Sequence, residues 1–444
     1  MPFSRRRLLS LMATTGVAGL LARPLAAKAD AEVQAYTGTK ATHAKISSFE
    51  DFAPDVHLTG KLLLSGAHGH KLPNSETMHG GNSTALTVLD LATGETIYIW
   101  LPVADGHIPI HLTDGRTMCC GQYQVNTVIL DKEFNIIKTL TSPDGLMYTG
   151  HPLTDIERGV VYVPLKSRED AGDQSLGFIE VFDLKTLEKV DQFPSGGAAP
   201  HELRFLPGNK QMAVCHYGEV QGSYGKEIQT KNTYLAVIDL ETRKVSKQID
   251  NGLSGMLTHM DIGTDGNVYA VLSQFMGYLP DGDIESNIHA ADSRLKVAMG
   301  ITRDWPLSRA MVDDWRYDFP MPILKINTQT EEIKTIYTKP GFHLRCQSVA
   351  THQKSQKVFV TAHYSNVLMV QDIATGQTTA YDGKTFGVHD MRGVCEIPGT
   401  PYIALAGVTE NIVLIDTNDM KMKKFFGVPV YQATHVVYLP DMTT

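Results

Sequence analysis

Along most of the chain the apolar residues come in short unbroken runs rather than at helical spacing, and the runs end on an acidic or amide residue. Val88-Leu89-Asp90-Leu91-Ala92-Thr93-Gly94 sets the pattern. It recurs as Ile129-Leu130-Asp131, Val181-Phe182-Asp183-Leu184, Val237-Ile238-Asp239-Leu240, Leu324-Lys325-Ile326-Asn327, Val370-Gln371-Asp372-Ile373 and Leu414-Ile415-Asp416. Runs of this length, rich in Val and Ile and bounded by turn formers, predict strands. The Asp or Asn predicts a tight turn closed by its own side chain, with a further strand beyond it that carries Lys or Thr outward. Another strand precedes most of these turns, as in Gln211-Met212-Ala213-Val214, Val268-Tyr269-Ala270-Val271 and Lys357-Val358-Phe359-Val360. Helical periodicity is nearly absent after the first thirty residues.

The seven turns are spaced 41, 52, 56, 88, 45 and 44 residues apart. Apart from one long interval, that is the period of a four-stranded blade. The expected fold is therefore all-β: a single seven-bladed β-propeller over residues 60–444, preceded by a lead-in at 30–59. Ala433-Thr434-His435-Val436-Val437-Tyr438-Leu439 reads as the first strand of a further blade. Pairing it with the N-terminal blade closes the ring and leaves no open sheet edge. The long interval holds an insertion at about 280–320 with a helix-tolerant stretch from Glu285 to Met299, then Trp305 and Trp315. Two readings of it stay open: a surface excursion that shields an edge, or a lid over the axial funnel.

The first 29 residues change the picture in a different way. Ser4-Arg5-Arg6-Arg7-Leu8-Leu9 places arginines ahead of an apolar run from Leu11 to Leu21, and Ala27-Lys28-Ala29 follows as a cleavage site. This is the layout of a signal peptide of the twin-arginine type, with an apolar run too short to span a bilayer stably. A periplasmic protein without a stable membrane span is expected. Removing the five basic residues of the leader takes the net charge from −8 to −13, which argues against nucleic acid or anionic lipid as a partner. Five cysteines are too few and too odd in number for a disulfide scaffold; Cys119 and Cys120 are adjacent and poorly placed to pair with each other, and Cys215, Cys346 and Cys395 read as buried thiols.

The candidate chemistry lies in the histidines. His107, His151, His201, His259, His389 and His435 each stand just ahead of a predicted innermost strand, where side chains point to the axis. His343, near Arg345 and Cys346, is the offering of the blade between His259 and His389. One imidazole per blade would gather distant sequence positions into one site, and neutral imidazole suits copper, iron, zinc or nickel. Glu202 and Asp390, each beside one of these histidines, are candidates to orient the rings. His68-Gly69-His70 with His79 reads as a solvated Gly-rich loop. His216 and His363 follow mid-blade strands and could face the same funnel. Each histidine alone also fits a structural role inside its blade.

Gly177-Phe178-Ile179-Glu180-Val181-Phe182-Asp183, followed by Phe193-Pro194 and Pro200-His201-Glu202-Leu203-Arg204-Phe205-Leu206-Pro207-Gly208, resembles the central signature of an uncharacterised family of twin-arginine-exported periplasmic propellers. Thr258-His259-Met260-Asp261, Gln274-Phe275-Met276-Gly277, Ser348-Val349-Ala350 and Gly393-Val394-Cys395 follow in the family's order. The likeness runs over about residues 60–440 and is strongest from 177 to 280. Members resemble the product of an iron-regulated locus found alongside imelysin-type and di-haem-oxidase-like proteins. The resemblance implies a place near periplasmic metal acquisition or redox, with metal-uptake or redox proteins as partners. Cys215-His216-Tyr217 and the 280–320 insertion depart from the family pattern.

Three functions remain open on these grounds. One is a metal- or cofactor-binding propeller with an axial histidine site, holding copper, iron or zinc. Another is a non-catalytic scaffold for a redox or transport partner, its histidines structural. The third is a metal-dependent propeller enzyme. No C-x-x-C-H haem site, Ser-His-Asp arrangement or phosphate loop stands out.

Overall fold

The structure, a computed structural model, describes residues 41–43, 48–51, 53–66, 84–101, 106–168, 176–221, 229–231, 233–250, 256–273, 323–336, 346–363, 366–407, 410–429 and 433–441. The leader 1–29, the loop with His68, His70 and His79, His343 and the 280–320 insertion lie outside these residues.

Seven antiparallel sheets form a ring, each packed against the next and the seventh against the first. The innermost strands of blades 1 to 7 are Ala433–Leu439, Gly106–His111, the broken pair Leu146–Tyr148 and Leu153–Asp155, Pro200–Phe205, Met256–Ile262, Cys346–His352 and Met391–Glu396. The fold is the expected seven-bladed propeller. Ala433–Leu439 pairs antiparallel with Lys61–Gly66, with His435 opposite Ser65, so the last strand of the chain completes its first blade. Among the described residues there is no α-helix, only the 3-10 turn Gly383–Phe386.

Burial on both faces explains the unbroken apolar runs. Leu62 and Leu64 pack toward Ala404 and Ile412 of blade 7, while Leu63, on the opposite face of the strand, packs toward Val128 and Leu130 of blade 2. A strand with a neighbouring blade on each side has no solvent face, so polar alternation disappears from it. Similar apolar layers lie between blades 2 and 3, 3 and 4, and 6 and 7, and one continuous layer runs from blade 4 to blade 6.

The seven repeated Asp or Asn residues close the turn after the third strand of each blade. Asp183 Oδ1 accepts the N–H groups of Lys185 and Thr186 at 3.0 and 2.7 Å, and Asn327 Oδ1 accepts those of Gln329 and Thr330 at 2.9 Å each. Asp90, Asp131, Asp239, Asp372 and Asp416 do the same in their own turns. An acceptor on a short side chain satisfies backbone donors that the turn leaves unpaired.

The lead-in is more than an approach to the fold. Ala41–His43 adds an outer strand to blade 1, and Ser48–Asp51 adds one to blade 7, fixed by an ion pair of 2.7 Å between Asp51 and Lys424. All five cysteines are free, four of them buried. Burial pushes the Cys119 and Cys346 thiols up to about 12.

Candidate metal centre

Six of the seven innermost strands carry a register irregularity at or beside the residue that faces the axis. The shifts fall between Gly106 and Ile108, Pro200 and Leu203, Leu257 and His259, Cys346 and Val349, and Met391 and Gly393. In blade 1 the shift falls opposite His435, between Ser65 and Gly66. In blade 3 the strand breaks altogether at His151, whose N–H donates to the His201 carbonyl at 2.7 Å. A bulge takes one residue out of the ladder and re-aims its side chain, which is how these imidazoles leave the sheets. The two remaining blades present Gln347 with Ser348 and Arg392 at the bulge instead of histidine.

The result is a buried knot of five imidazoles. His107, His151, His201, His259 and His435 are between 0% and 5% exposed, a degree of burial that singles them out because their rings touch one another rather than apolar side chains. Ring centroids of His151 stand 4.9 Å from those of His107, His201 and His259, and 4.4 Å from that of His435. One ring nitrogen from each of His107, His151, His201 and His259 lies within 4.8 Å of all the others. His107 Nε2 is 3.1 Å from His201 Nε2 and 3.2 Å from His435 Nε2. Donor atoms at right angles on a metal ion, each at about 2.1 Å, are separated by about 3 Å.

Proton positions follow from the surroundings. The Thr149 carbonyl can only accept, so His201 carries its proton on Nδ1, which donates to it at 2.7 Å. Nε2 of His201 therefore keeps a lone pair and points it into the knot. Glu202 stands between two other rings, its Oε1 3.3 Å from His151 Nδ1 and its Oε2 3.3 Å from His259 Nδ1. Its Oε2 also accepts the Met260 N–H at 2.8 Å, and Arg204 approaches Oε1 at 2.6 Å. A carboxylate behind Nδ1 is the arrangement that turns Nε2 of an imidazole toward a metal. The two Glu202 contacts are long and off-axis, and both nitrogens of His151 lack a well-formed partner among the described residues. With His201 protonated on Nδ1, one of the two Nε2–Nε2 contacts of His107, to His201 or to His435, is without a proton. Buried nitrogens left in this condition, converging at the spacing of neighbouring ligands, fit a bound cation.

The electrostatics keep four of the five rings neutral. Burial, followed by repulsion from neighbouring rings, holds His107, His151, His201 and His435 well below the ordinary histidine value. Burial alone would raise the Glu202 carboxyl. Arg204, His259 and the Met260 N–H outweigh it and bring the group down to about 2. The site thus combines uncharged nitrogen donors with one fixed negative charge behind them.

His389 is not brought to this knot. The 3-10 turn Gly383–Phe386 and its left-handed cap Gly387 delay the start of the inner strand to Met391. Arg392 takes the axial position, and His389 is exposed. Asp390, half-buried with φ of 49°, has its carboxyl raised by burial and lowered in part by His389 and Arg392, so it orients none of the five clustered rings. His216 bonds the Tyr234 carbonyl of its own blade at 3.1 Å and Ser195 Oγ, just after blade 3, at 3.0 Å, a structural role away from the knot. His363, half-buried, follows the second strand of blade 6 and is outside the set of four.

The sequence pattern did not single out the role of Tyr217. Its hydroxyl lies 2.8 Å from His201 Nε2 and accepts from Gln122 Nε2 at 3.0 Å, while its ring stacks on His201 with centroids 4.2 Å apart. The available signal was its place directly after a second strand ending in Cys215-His216. Gln347 was equally hidden, though its amide nitrogen is 3.4 Å from His259 Nε2.

Residues 113–297 match a protein family described as "Protein of unknown function (DUF1513)". The chain resembles this uncharacterised family. The DUF1513 stretch includes His151, His201, His259 and Glu202, whereas His107 and His435 lie outside it. No curated protein matches the chain. Among solved structures, the lignostilbene dioxygenase of Pseudomonas brassicacearum is similar in fold, with 13% identity and a TM-score of 0.53 over 90% of this chain and 96% of that one. The cobalt-substituted apocarotenoid oxygenase of Synechocystis is similar at 12% identity and a TM-score of 0.55, over 91% and 97% of the two chains.

Proposed function

We propose that this protein binds one transition-metal ion on the propeller axis, held by His107, His151, His201 and His259. The observation that carries this reading is the convergence of four buried imidazoles with donor atoms within 4.8 Å of one another. An all-nitrogen donor set favours iron, cobalt, copper or zinc over calcium or magnesium, which take oxygen ligands. When bound, such an ion supplies a Lewis-acidic centre and, for iron or copper, a redox-active one.

The remaining work belongs to the chain's own groups. Glu202 holds His151 and His259 with Nδ1 turned outward, and the Thr149 carbonyl does the same for His201. Arg204 and the Met260 N–H keep Glu202 ionised in the interior. The bulged inner strands fix all of these groups on rigid sheet rather than on loops, which preserves their mutual geometry.

A second reading, that the centre belongs to a metal-dependent enzyme of oxidative type, is favoured by the two structural neighbours, which are named as oxygenases. Export to the periplasm is supported by the arginine-rich leader 1–29. Among the described residues no helix is long and apolar enough to cross a membrane. A role in metal acquisition or redox, with periplasmic uptake or redox proteins as partners, follows from the family resemblance.

Metal analysis of the protein purified from the periplasm tests the central claim. About one equivalent of a transition metal is expected, and none in the variant carrying both His201→Ala and His259→Ala. A metal-free wild type whose melting is indifferent to added metal would sink the claim and leave the scaffold reading. Recovery of the wild type from the cytoplasm alone, with its leader attached, would count against export.

A further inference from the structure

We infer that His435 is a further ligand of the ion, so that metal binding also locks the closure of the propeller ring. The inference rests on the metal reading above and assigns a function to the one imidazole of the knot that reading leaves out.

His435 stands as deep in the knot as the four proposed ligands. Its ring is buried, with its centroid 4.4 Å from that of His151 and 4.6 Å from those of His107 and His259. Neighbouring rings among the four are no closer, at 4.9 Å. His435 Nε2 is 3.2 Å from His107 Nε2, and His201 Nε2 is 3.1 Å from that same atom. Donors at right angles on one ion lie about 3 Å apart and opposite donors about 4.2 Å. His201 and His435 thus flank His107 as two ligands on opposite sides of an ion would. His435 falls outside the set whose donors all lie within 4.8 Å, so taking up the ion draws its ring inward. On the outer side its Nδ1 faces the Ser348 hydroxyl at 3.2 Å. That oxygen can accept from a protonated Nδ1, which leaves the lone pair of Nε2 for the metal.

What sets His435 apart is the strand that carries it. Ala433–Leu439 is the last strand of the chain, and its pairing with Lys61–Gly66 closes the ring. The ring is tight on both sides of this point. Ser65, opposite His435 in the ladder, donates its hydroxyl to the His107 carbonyl of blade 2 at 2.6 Å. A Cβ on Gly393 of blade 7 would stand 2.7 Å from the Val436 nitrogen. An ion that also holds blades 2 to 5 would tie His435 to a residue 328 positions earlier in the chain. Releasing the closing strand then means breaking a metal–nitrogen bond as well as a β-ladder, so bound metal resists local opening at this strand.

The test uses the full chain loaded with cobalt(II), as wild type and as His435→Gln, which leaves the other four rings in place. X-ray absorption at the cobalt edge counts imidazole ligands, and five are expected in the wild type. Hydrogen exchange then reads the closing strand. Cobalt should slow exchange over residues 433–439 about ten-fold in the wild type. In His435→Gln cobalt should still bind and still protect Pro200–Phe205, while exchange over 433–439 stays at its metal-free rate. Four imidazoles in the wild type overturn the inference and leave the metal reading intact, and this count decides the matter even where His435→Gln does not fold. Equal protection of 433–439 by cobalt in the two proteins overturns it as well. A wild type that takes up no cobalt overturns the metal reading and this inference with it.

Discussion

The Nε2 atoms of His107 and His201 face each other at 3.1 Å in the interior of the ring. Since His201 holds its proton on Nδ1, either this contact or that of His107 Nε2 with His435 Nε2 at 3.2 Å is without a proton. A cation bound as proposed would relieve this mismatch. Added metal is expected to stabilise the fold by about 2.7 kcal/mol at a hundredfold excess over its dissociation constant. Calorimetry with and without a chelator would show this as a melting temperature several degrees higher with metal. His107→Gln should abolish the difference.

The carboxylate behind the rings gives a second expectation. Glu202 serves His151 and His259 at once, so Glu202→Gln removes the charge from two Nδ1 atoms while keeping the volume. Metal affinity should fall about 10- to 100-fold, measured by competition against a chelator of known affinity. An unchanged affinity would mean that the carboxylate serves Arg204 alone.

Acid should unfold the metal-free protein early. Burial lowers the His216 value to about 4, with its backbone hydrogen bonds opposing the shift in part. Between pH 6.5 and pH 4 the unfolded chain binds this proton and the folded chain does not, so stability is full above 6.5 and declines as pH falls. The loss from this one residue reaches about 3 kcal/mol by pH 4. His107, His151, His201 and His435 shift in the same direction and add to it. Denaturant midpoints measured from pH 7.5 to 4 should drop steeply, and less steeply in His216→Gln.

Gly150 offers a probe that alters no candidate ligand itself. A Cβ at this position would collide with the ring and carbonyl oxygen of His201. Since Thr149 and His151 on either side are bonded to blade 4, the strand break has little room to retreat. Gly150→Ala should cost about 1 to 3 kcal/mol and lower metal affinity with it. Normal melting and normal affinity together would show that the His201 position is softer than its packing indicates.

The seven blades were legible because each repeats a local chemical event, an Asp or Asn closing a turn after an apolar run. Five of the six histidines picked from their phase ahead of the inner strand do meet at the axis. The phase failed at His389 because the 3-10 turn at Gly383–Phe386 displaces the strand start, and no hydrophobic pattern marks such a delay. The outer strands Ala41–His43 and Ser48–Asp51 were hidden for another reason. The second of them pairs with Lys421–Pro429, more than 370 residues away, and pairing at that separation leaves no local trace. Tyr217 and Glu202 differ in the same way: the carboxylate sits beside a conspicuous histidine, whereas the phenol meets His201 through the pairing of two strands within blade 4.

The last blade strand has a consequence for when the centre can exist. His435 lies on Ala433–Leu439, the closing partner of Lys61–Gly66, so the fifth imidazole arrives only after the strands of the other six blades. A chain that ends before this strand lacks the closed ring that would draw the four proposed ligands together. Metal choice then falls to whichever compartment first holds the completed ring. If the arginine leader sends the protein out already folded, that compartment is the cytoplasm, and the ion carried across would reflect the metal supply there.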